Sequence, residues 1–95
     1  MAERKRVVWS LESSHKIQEI KAYLLEEWSE AEVNIFLIKL KKFENQVSYF
    51  PRLYPASLKF PHLRKAVISK HQSVIYEIGE ETIKVITILN NRQKN

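Results

Sequence analysis

The sequence predicts a two-layer α+β domain in which a short N-terminal strand and a helical hairpin pack on an antiparallel sheet. Two stretches of helical periodicity lie side by side before residue 50, and period-two alternation begins after residue 62. A segment containing all three prolines separates these two regions. The order is therefore strand, helix, helix, strand, strand, strand (β-α-α-β-β-β), and 95 residues suit one domain, to which we assign residues 1–95. Two helices can cover one sheet face, which leaves the other partly open to a partner.

The first strand and first helix are short and adjacent. Residues 6–10 predict a strand, after which Ser13 or Ser14 is expected to cap a helix from about Ser14 to Glu27. Apolar residues at steps of three and four form one stripe on this helix, at Ile17, Ile20, Leu24 and Trp28.

A second helix is predicted to begin almost at once. Ser29 and Glu32 have the spacing of a capping box, and Trp28 with Val33 that of a hydrophobic staple. The short link favours an antiparallel helical hairpin. The predicted buried face of this helix comprises Val33, Phe36, Leu37, Leu40, Phe43 and Val47.

The segment 49–62 predicts a loop, because each proline removes a backbone donor and biases the preceding residue away from helix. It interleaves aromatic residues with Arg52 and Lys59. The aromatic residues either pin the loop to the core or form the rim of a functional surface, and both can hold.

The stretch 63–93 predicts three consecutive strands, with turns at 69–72 and at 79–81. The first strand of the chain is expected beside the last. The predicted inward set is Val74, Tyr76, Ile78, Ile83, Val85 and Leu89, with Ile86 and Ile88 on the second face.

Charge is distributed unevenly along the chain, whose net charge is +5. No acidic residue lies between Asn45 and Tyr76, whereas five cations do. This block favours an anionic partner, either nucleic acid or an acidic protein segment, although a solvated basic surface has the same composition. The absence of cysteine excludes disulfides and thiolate metal sites, and the N-terminal apolar run is too short for a signal peptide. We therefore expect a cytoplasmic protein that does not enter the membrane.

The residue inventory predicts no metal and no cofactor. The three histidines are scattered, the single glycine rules out a glycine-rich phosphate loop, and without aspartate there is no Ser-His-Asp triad. Arg64 and Lys65 are adjacent on a strand, so they should point to opposite sheet faces. Proton carriers for RNA cleavage would have to come from His62, His71, Glu44 and Tyr76, each of which has a simpler structural explanation.

In its motifs and their order, the chain resembles the RelE/ParE family of bacterial toxins from type II toxin-antitoxin systems. The match covers nearly the full length. It rests on V-x-W-S (Val7 to Ser10), W-S-x-x-E (Trp28 to Glu32), Y-F-P-x-x-Y-P (Tyr49 to Pro55), L-R-K (Leu63 to Lys65), V-I-Y-E-I (Val74 to Ile78) and N-R-Q (Asn91 to Gln93).

The resemblance implies a growth-inhibiting toxin, of the kind used in plasmid stabilisation, that a cognate antitoxin neutralises by wrapping a partly disordered segment around it. The RelE-like branch cleaves mRNA in the ribosome, and the ParE-like branch inhibits DNA gyrase without being a nuclease. Ribosome-dependent members usually carry an arginine where this chain has Gln72 and Ser73, and a C-terminal tyrosine or histidine that this chain lacks.

We therefore predict a ParE-like toxin that blocks a target such as gyrase. The alternatives are a RelE-like mRNA endoribonuclease and a non-toxic binding module of the same fold, so whether the protein is an enzyme stays open. The predicted target- or antitoxin-binding residues are Arg52, Lys59, Arg64, Lys65 and Arg92, and the catalytic candidates for a nuclease are Arg64, Arg92, Lys59 and His62.

Overall fold

The computed structural model describes residues 4–90 and has the predicted order of elements. No helix in this part of the chain is long and apolar enough to cross a membrane. The elements are β1 (Arg6–Trp9), α1 (Leu11–Glu27), α2 (Glu30–Tyr49), β2 (Arg64–Val67), β3 (Gln72–Ile78) and β4 (Thr82–Asn90).

The four strands form one sheet in the order β1-β4-β3-β2. β2, β3 and β4 pair in antiparallel fashion, as a meander requires. β1 lies beside β4, which confirms the predicted neighbour, but it runs parallel to β4, so the sheet is mixed. The long connection through both helices permits this parallel pairing, which a tight hairpin could not.

The N-cap of α1 is Ser10, so the prediction of Ser13 or Ser14 was wrong. The Ser13 N–H donates to Ser10 Oγ over 3.0 Å, and the Ser10 hydroxyl in turn donates to the Ile86 carbonyl of β4 over 2.7 Å. Because Ser10 follows β1 directly and caps at once, Ser13 falls inside the first turn, where it is buried. Ser10 therefore follows the last residue of β1, caps α1 and is hydrogen-bonded to β4.

The N-cap of α2 is Ser29, as predicted, and its Oγ accepts from the Glu32 N–H over 3.4 Å. The apolar stripes are shorter than predicted. Trp28 is 58% exposed because α1 ends at Glu27 and the indole lies in the link, and Leu37 lies at the exposed margin of the α2 stripe.

The core lies between the two helices and one face of the sheet. Its fully buried apolar residues come from α1, α2, β2, β3 and β4, and they are Ile20, Leu24, Phe36, Leu40, Phe43, Val47, Ala66, Val74, Tyr76, Ile83, Val85 and Ile88. An aromatic group occupies its centre, where the Phe43 ring lies 5.6 Å from the Tyr76 ring and 6.2 Å from the Trp9 ring. Helix α2 is thereby packed against both β3 and β1.

A β-bulge in β4 changes which residues face this core. Ile75 pairs with Thr87 and Tyr76 pairs with Val85, so Ile86 is an extra residue opposite β3. Beyond the bulge, the positions of β4 that face the core shift by one residue. Ile88 is therefore buried, while Leu89 is exposed. The prediction that Leu89 faces inward and Ile88 outward was therefore wrong, because strict alternation cannot register an inserted residue.

We expect Phe43→Ala to lower the free energy of unfolding by about 3–5 kcal/mol, since the ring is buried among three other aromatic rings. Urea denaturation followed by circular dichroism measures this change. Ile38→Ala, on the exposed side of the same helix, should change the value by no more than about 0.5 kcal/mol. Similar losses for both variants would contradict the placement of the core.

Candidate functional site

The loop between α2 and β2, residues 50–63, is anchored to the aromatic centre of the core. The Tyr54 ring lies 6.2 Å from Phe43 and 6.5 Å from Tyr76, and its hydroxyl donates to Gln46 Oε1 over 3.2 Å. The buried Tyr76 hydroxyl donates to the Pro51 carbonyl over 2.7 Å. The loop therefore has a defined course. Of the two alternatives for its aromatic residues, Tyr54 follows the first, since it pins the loop to the core, whereas Phe50 and Phe60 are exposed.

Arg64 ties the same loop to the first residue of β2. Its Nη1 donates to the Tyr54 carbonyl over 2.6 Å, and the side chain is half-buried. The Lys65 N–H donates to the Pro55 carbonyl over 3.3 Å, and Ala56 forms an isolated bridge with Arg64. Part of the outer edge of β2 is thus covered by the loop, which limits uncontrolled pairing at this edge.

Between the loop and β2 lies a cavity of about 680 Å³, which we call the β2 groove. Three of the predicted cations line it: Lys59, Arg64 and Lys65. Its apolar walls include Leu58, which is fully exposed, and Phe60 and Val67, which are largely exposed. The Lys59 ammonium lies 5.6 Å from the centre of the Phe60 ring. The groove joins apolar surface to positive charge, a combination suited to an acidic, partly apolar segment.

The other predicted residues that the structure describes lie outside the groove. Arg52 lines a separate cavity at the end of α2, and Arg92 lies outside the described residues. His62 is exposed in the loop, with its ring 6.5 Å from Phe60, and is not among the residues lining the groove. His71 lines a small cavity beside the β2–β3 turn, and Glu44 is half-buried on α2. Among residues 4–90, the structure brings together Lys59, Arg64 and Lys65 and places the other predicted residues apart from them.

Tyr76 has the properties of a structural residue rather than a general base. Burial raises the pKa of its phenol above the ordinary value of 10.0, an effect that the Tyr54 backbone and the Arg64 charge partly offset. At neutral pH the phenol is protonated, and its proton is donated to the Pro51 carbonyl. Its ring has no exposed surface.

The apolar walls of the groove were missed at the level of sequence. Leu58, Val67 and Ile75 were assigned no functional role, because an apolar residue in a loop or strand is ordinarily part of the core. Phe60 belongs to the loop aromatics for which the rim of a functional surface was one of two alternatives. The available signal was Leu58 itself, in a segment flanked by Pro55 and Pro61 that cannot fold into a helix or central strand to bury it.

Comparison with known proteins identifies the fold. No family model and no curated protein sequence matches the chain. Among solved structures, the chain is similar to a protein of the chromosomal ParDE toxin-antitoxin system of P. aeruginosa, with a TM-score of 0.76 at 8% identity over 92% of this chain and 96% of that one.

Two further structures extend the similarity. The conserved hypothetical protein HP0894 of Helicobacter pylori has a TM-score of 0.59 at 13% identity, over 98% of each chain. A chain of the E. coli DinJ-YafQ toxin-antitoxin complex has a TM-score of 0.53 at 13% identity, over 92% of each chain. The chain therefore has the fold of the RelE/ParE toxins, as the resemblance in its motifs predicted.

We expect the raised pKa of Tyr76 to appear as a pH-dependent stability. The folded state holds this proton more tightly than the unfolded state, so the contribution is complete below pH 10 and is lost as the pH rises through the raised folded value. The free energy of unfolding should thus fall above pH 10, and less steeply in Tyr76→Phe. Urea denaturation between pH 8 and pH 11 measures both slopes, and equal slopes would contradict the assignment.

Proposed function

We propose that this protein is the toxin of a type II toxin-antitoxin module, of the ParE-like kind that blocks a target such as DNA gyrase. A cognate antitoxin neutralises it. The observation that carries the proposal is the fold, shared over nearly the whole chain with a protein of a ParDE system. The TM-score is higher for that protein than for the YafQ chain, which supports the ParE-like choice.

The β2 groove supports binding as the mode of action. Among residues 4–90, the ionisable side chains that line it are Lys59, Arg64 and Lys65. Arg64 is already committed to the Tyr54 carbonyl, so its guanidinium positions the loop as well as adding charge. Cations beside apolar walls hold an acidic protein segment, and we assign the groove to contact with the target.

The antitoxin acts in this proposal by covering the same groove. A partly disordered segment with acidic and apolar residues would bury the exposed Leu58 and Phe60 side chains and place carboxylates near Lys59 and Lys65. Neutralisation then follows from competition for one surface, and it needs no change in the fold of the toxin.

A charge reversal in the groove tests the contact with the target. We expect Lys59→Glu combined with Lys65→Glu to abolish growth arrest on induction, because both ammonium groups would be replaced by carboxylates facing an acidic partner. The matched control is Lys41→Glu combined with Lys70→Glu, which makes the same change at two exposed lysines outside the groove. Colony counts after induction measure the arrest, and circular dichroism checks folding.

Arrest that survives in both double variants would remove the groove from the mechanism. Harmless expression of the unmodified protein would instead contradict the toxin assignment and favour a non-toxic binding module.

Pulse labelling separates the two branches of the proposed family. We expect thymidine incorporation to fall soon after induction without an antitoxin, while amino-acid incorporation continues, because blocked gyrase stops replication first. An early loss of amino-acid incorporation would overturn this expectation and favour ribosome-dependent mRNA cleavage. Mapping of transcript ends with the unmodified protein and with Arg64→Ala would then follow.

A further inference from the structure

A second large cavity, of about 770 Å³, lies at the C-terminal end of α2, and we call it the α2-end pocket. Its walls come from three parts of the chain: the end of α2 with the start of the loop, the β3–β4 turn, and Lys5. It shares none of its lining residues with the β2 groove. The pocket is therefore a separate surface, and nothing in the toxin proposal uses it.

The walls of this pocket are held in place by hydrogen bonds. The Phe50 N–H caps α2 by donating to the Gln46 carbonyl over 2.8 Å, and the Leu53 N–H donates to the Phe50 carbonyl over 3.0 Å. The Tyr76 hydroxyl fixes the Pro51 carbonyl between them. A ligand entering the pocket meets a preformed shape, which lowers the entropy lost on binding.

Lys5, which precedes β1, holds the wall that the β3–β4 turn forms. The Lys5 ammonium donates to the Gly79 carbonyl over 3.0 Å and also to the Glu80 carbonyl. The Lys5 N–H donates to the Ser48 carbonyl over 2.9 Å, and the Ser48 hydroxyl returns a bond to the Lys5 carbonyl over 2.7 Å. Through these hydrogen bonds, Lys5 links the C-terminal end of α2 to the β3–β4 turn.

This fixed backbone presents apolar side chains to solvent. Phe50 is 65% exposed and Leu53 is 52% exposed, and Pro51 and Ile78 continue the apolar wall. The Phe50 N–H and carbonyl, the Pro51 carbonyl and the Leu53 N–H already have hydrogen-bond partners, whereas the apolar side chains of these residues remain exposed. Clustered exposed apolar residues on an ordered segment are typical of a contact surface.

The charges around the pocket select the partner. The Arg52 side chain lines the pocket and makes no hydrogen bond or ion pair within residues 4–90. Glu80, on the β3–β4 turn, also lines the pocket. The lining carries two cations and one carboxylate, because the Lys5 ammonium keeps its charge while it donates to neutral backbone carbonyls. The one net positive charge suits a ligand with a single local negative charge, since a polyanion would meet repulsion at Glu80.

We propose that the α2-end pocket binds a short peptide segment of a partner protein that carries a large apolar side chain next to a carboxylate. The apolar side chain packs against Phe50, Leu53 and Ile78, and the carboxylate pairs with Arg52. A single-stranded nucleic acid fits less well, since one of the two aromatic rings in the lining, that of Tyr49, has a face covered by the Arg4 guanidinium at 5.5 Å. The remaining apolar lining residues, Pro51, Leu53 and Ile78, offer no ring on which a base could stack.

The test uses a fluorescein-labelled probe with the core Leu-Trp-Glu in a Gly-Ser frame, and full-length protein labelled with ¹⁵N by cell-free synthesis. Anisotropy measures affinity, and amide chemical shifts map the site. We expect saturable binding tighter than about 1 mM, with shifts centred on residues 49–53 and 78–80. Replacing Leu-Trp by Ser-Ser, or Glu by Gln, in the probe should weaken binding without altering the protein.

The protein variants are paired across the two cavities. Phe50→Ser and Arg52→Ala should each weaken binding by about tenfold, as the loss of a central contact does. Leu58→Ser and Lys59→Ala are the matched controls, since each also removes a large apolar side chain or a cation, but at residues that line the β2 groove. Binding weaker than about 1 mM, equal losses in both pairs, shifts centred on the groove, or displacement of the probe by an octauridylate at equal concentration would each overturn the proposal.

Discussion

The structure depends on the burial of Tyr76. Its ring packs against Phe43 of α2 and Tyr54 of the loop, and its hydroxyl donates to the Pro51 carbonyl. A buried hydroxyl without a partner would cost about 1–3 kcal/mol, so the loop must pass where its carbonyl can accept this bond. One side chain of the central strand β3 thereby connects the sheet, the second helix and the loop that carries the candidate surfaces.

The course of the loop places four cations of the basic block on two surfaces, while Lys70 lies apart from both, in the β2–β3 turn. On one side, Lys59 and Lys65 belong to the β2 groove, and on the other, Arg52 belongs to the α2-end pocket. Arg64 has an internal role as well, because it bonds the Tyr54 carbonyl at the point where loop and strand meet. Cations that lie in one basic block of the sequence therefore do not form one site in the structure.

Apolar exposure distinguishes these surfaces from an ordinary solvated face. Leu58 and Phe60 beside the groove, and Phe50 and Leu53 beside the pocket, lie on segments whose backbone is hydrogen-bonded to the rest of the molecule. Such side chains gain contact only from another molecule. The RelE/ParE toxin fold fits this arrangement, since a small domain with open apolar surface is suited to a protein partner that covers it.

The sequence by itself determined the order of the elements, the capping of α2 at Ser29 and most of the buried face of each helix, because these follow from local periodicity and local hydrogen bonds. The pairing of the strands could be predicted from the sequence only in part. The position of β1 beside β4 was expected, whereas its parallel direction and the bulge at Ile86 depend on how distant strands meet. The bulge in turn decided that Ile88 rather than Leu89 enters the core.

Tertiary structure alone decided which cations act together. Spacing placed Lys59, Arg64 and Lys65 within seven positions of one another, and only the folded loop showed that they line a common groove while Arg52 turns to another cavity. The physical reason is that an irregular loop has no periodicity from which the direction of a side chain follows. Its course is set by long-range bonds, chiefly that from Tyr76 to Pro51, between residues 25 positions apart.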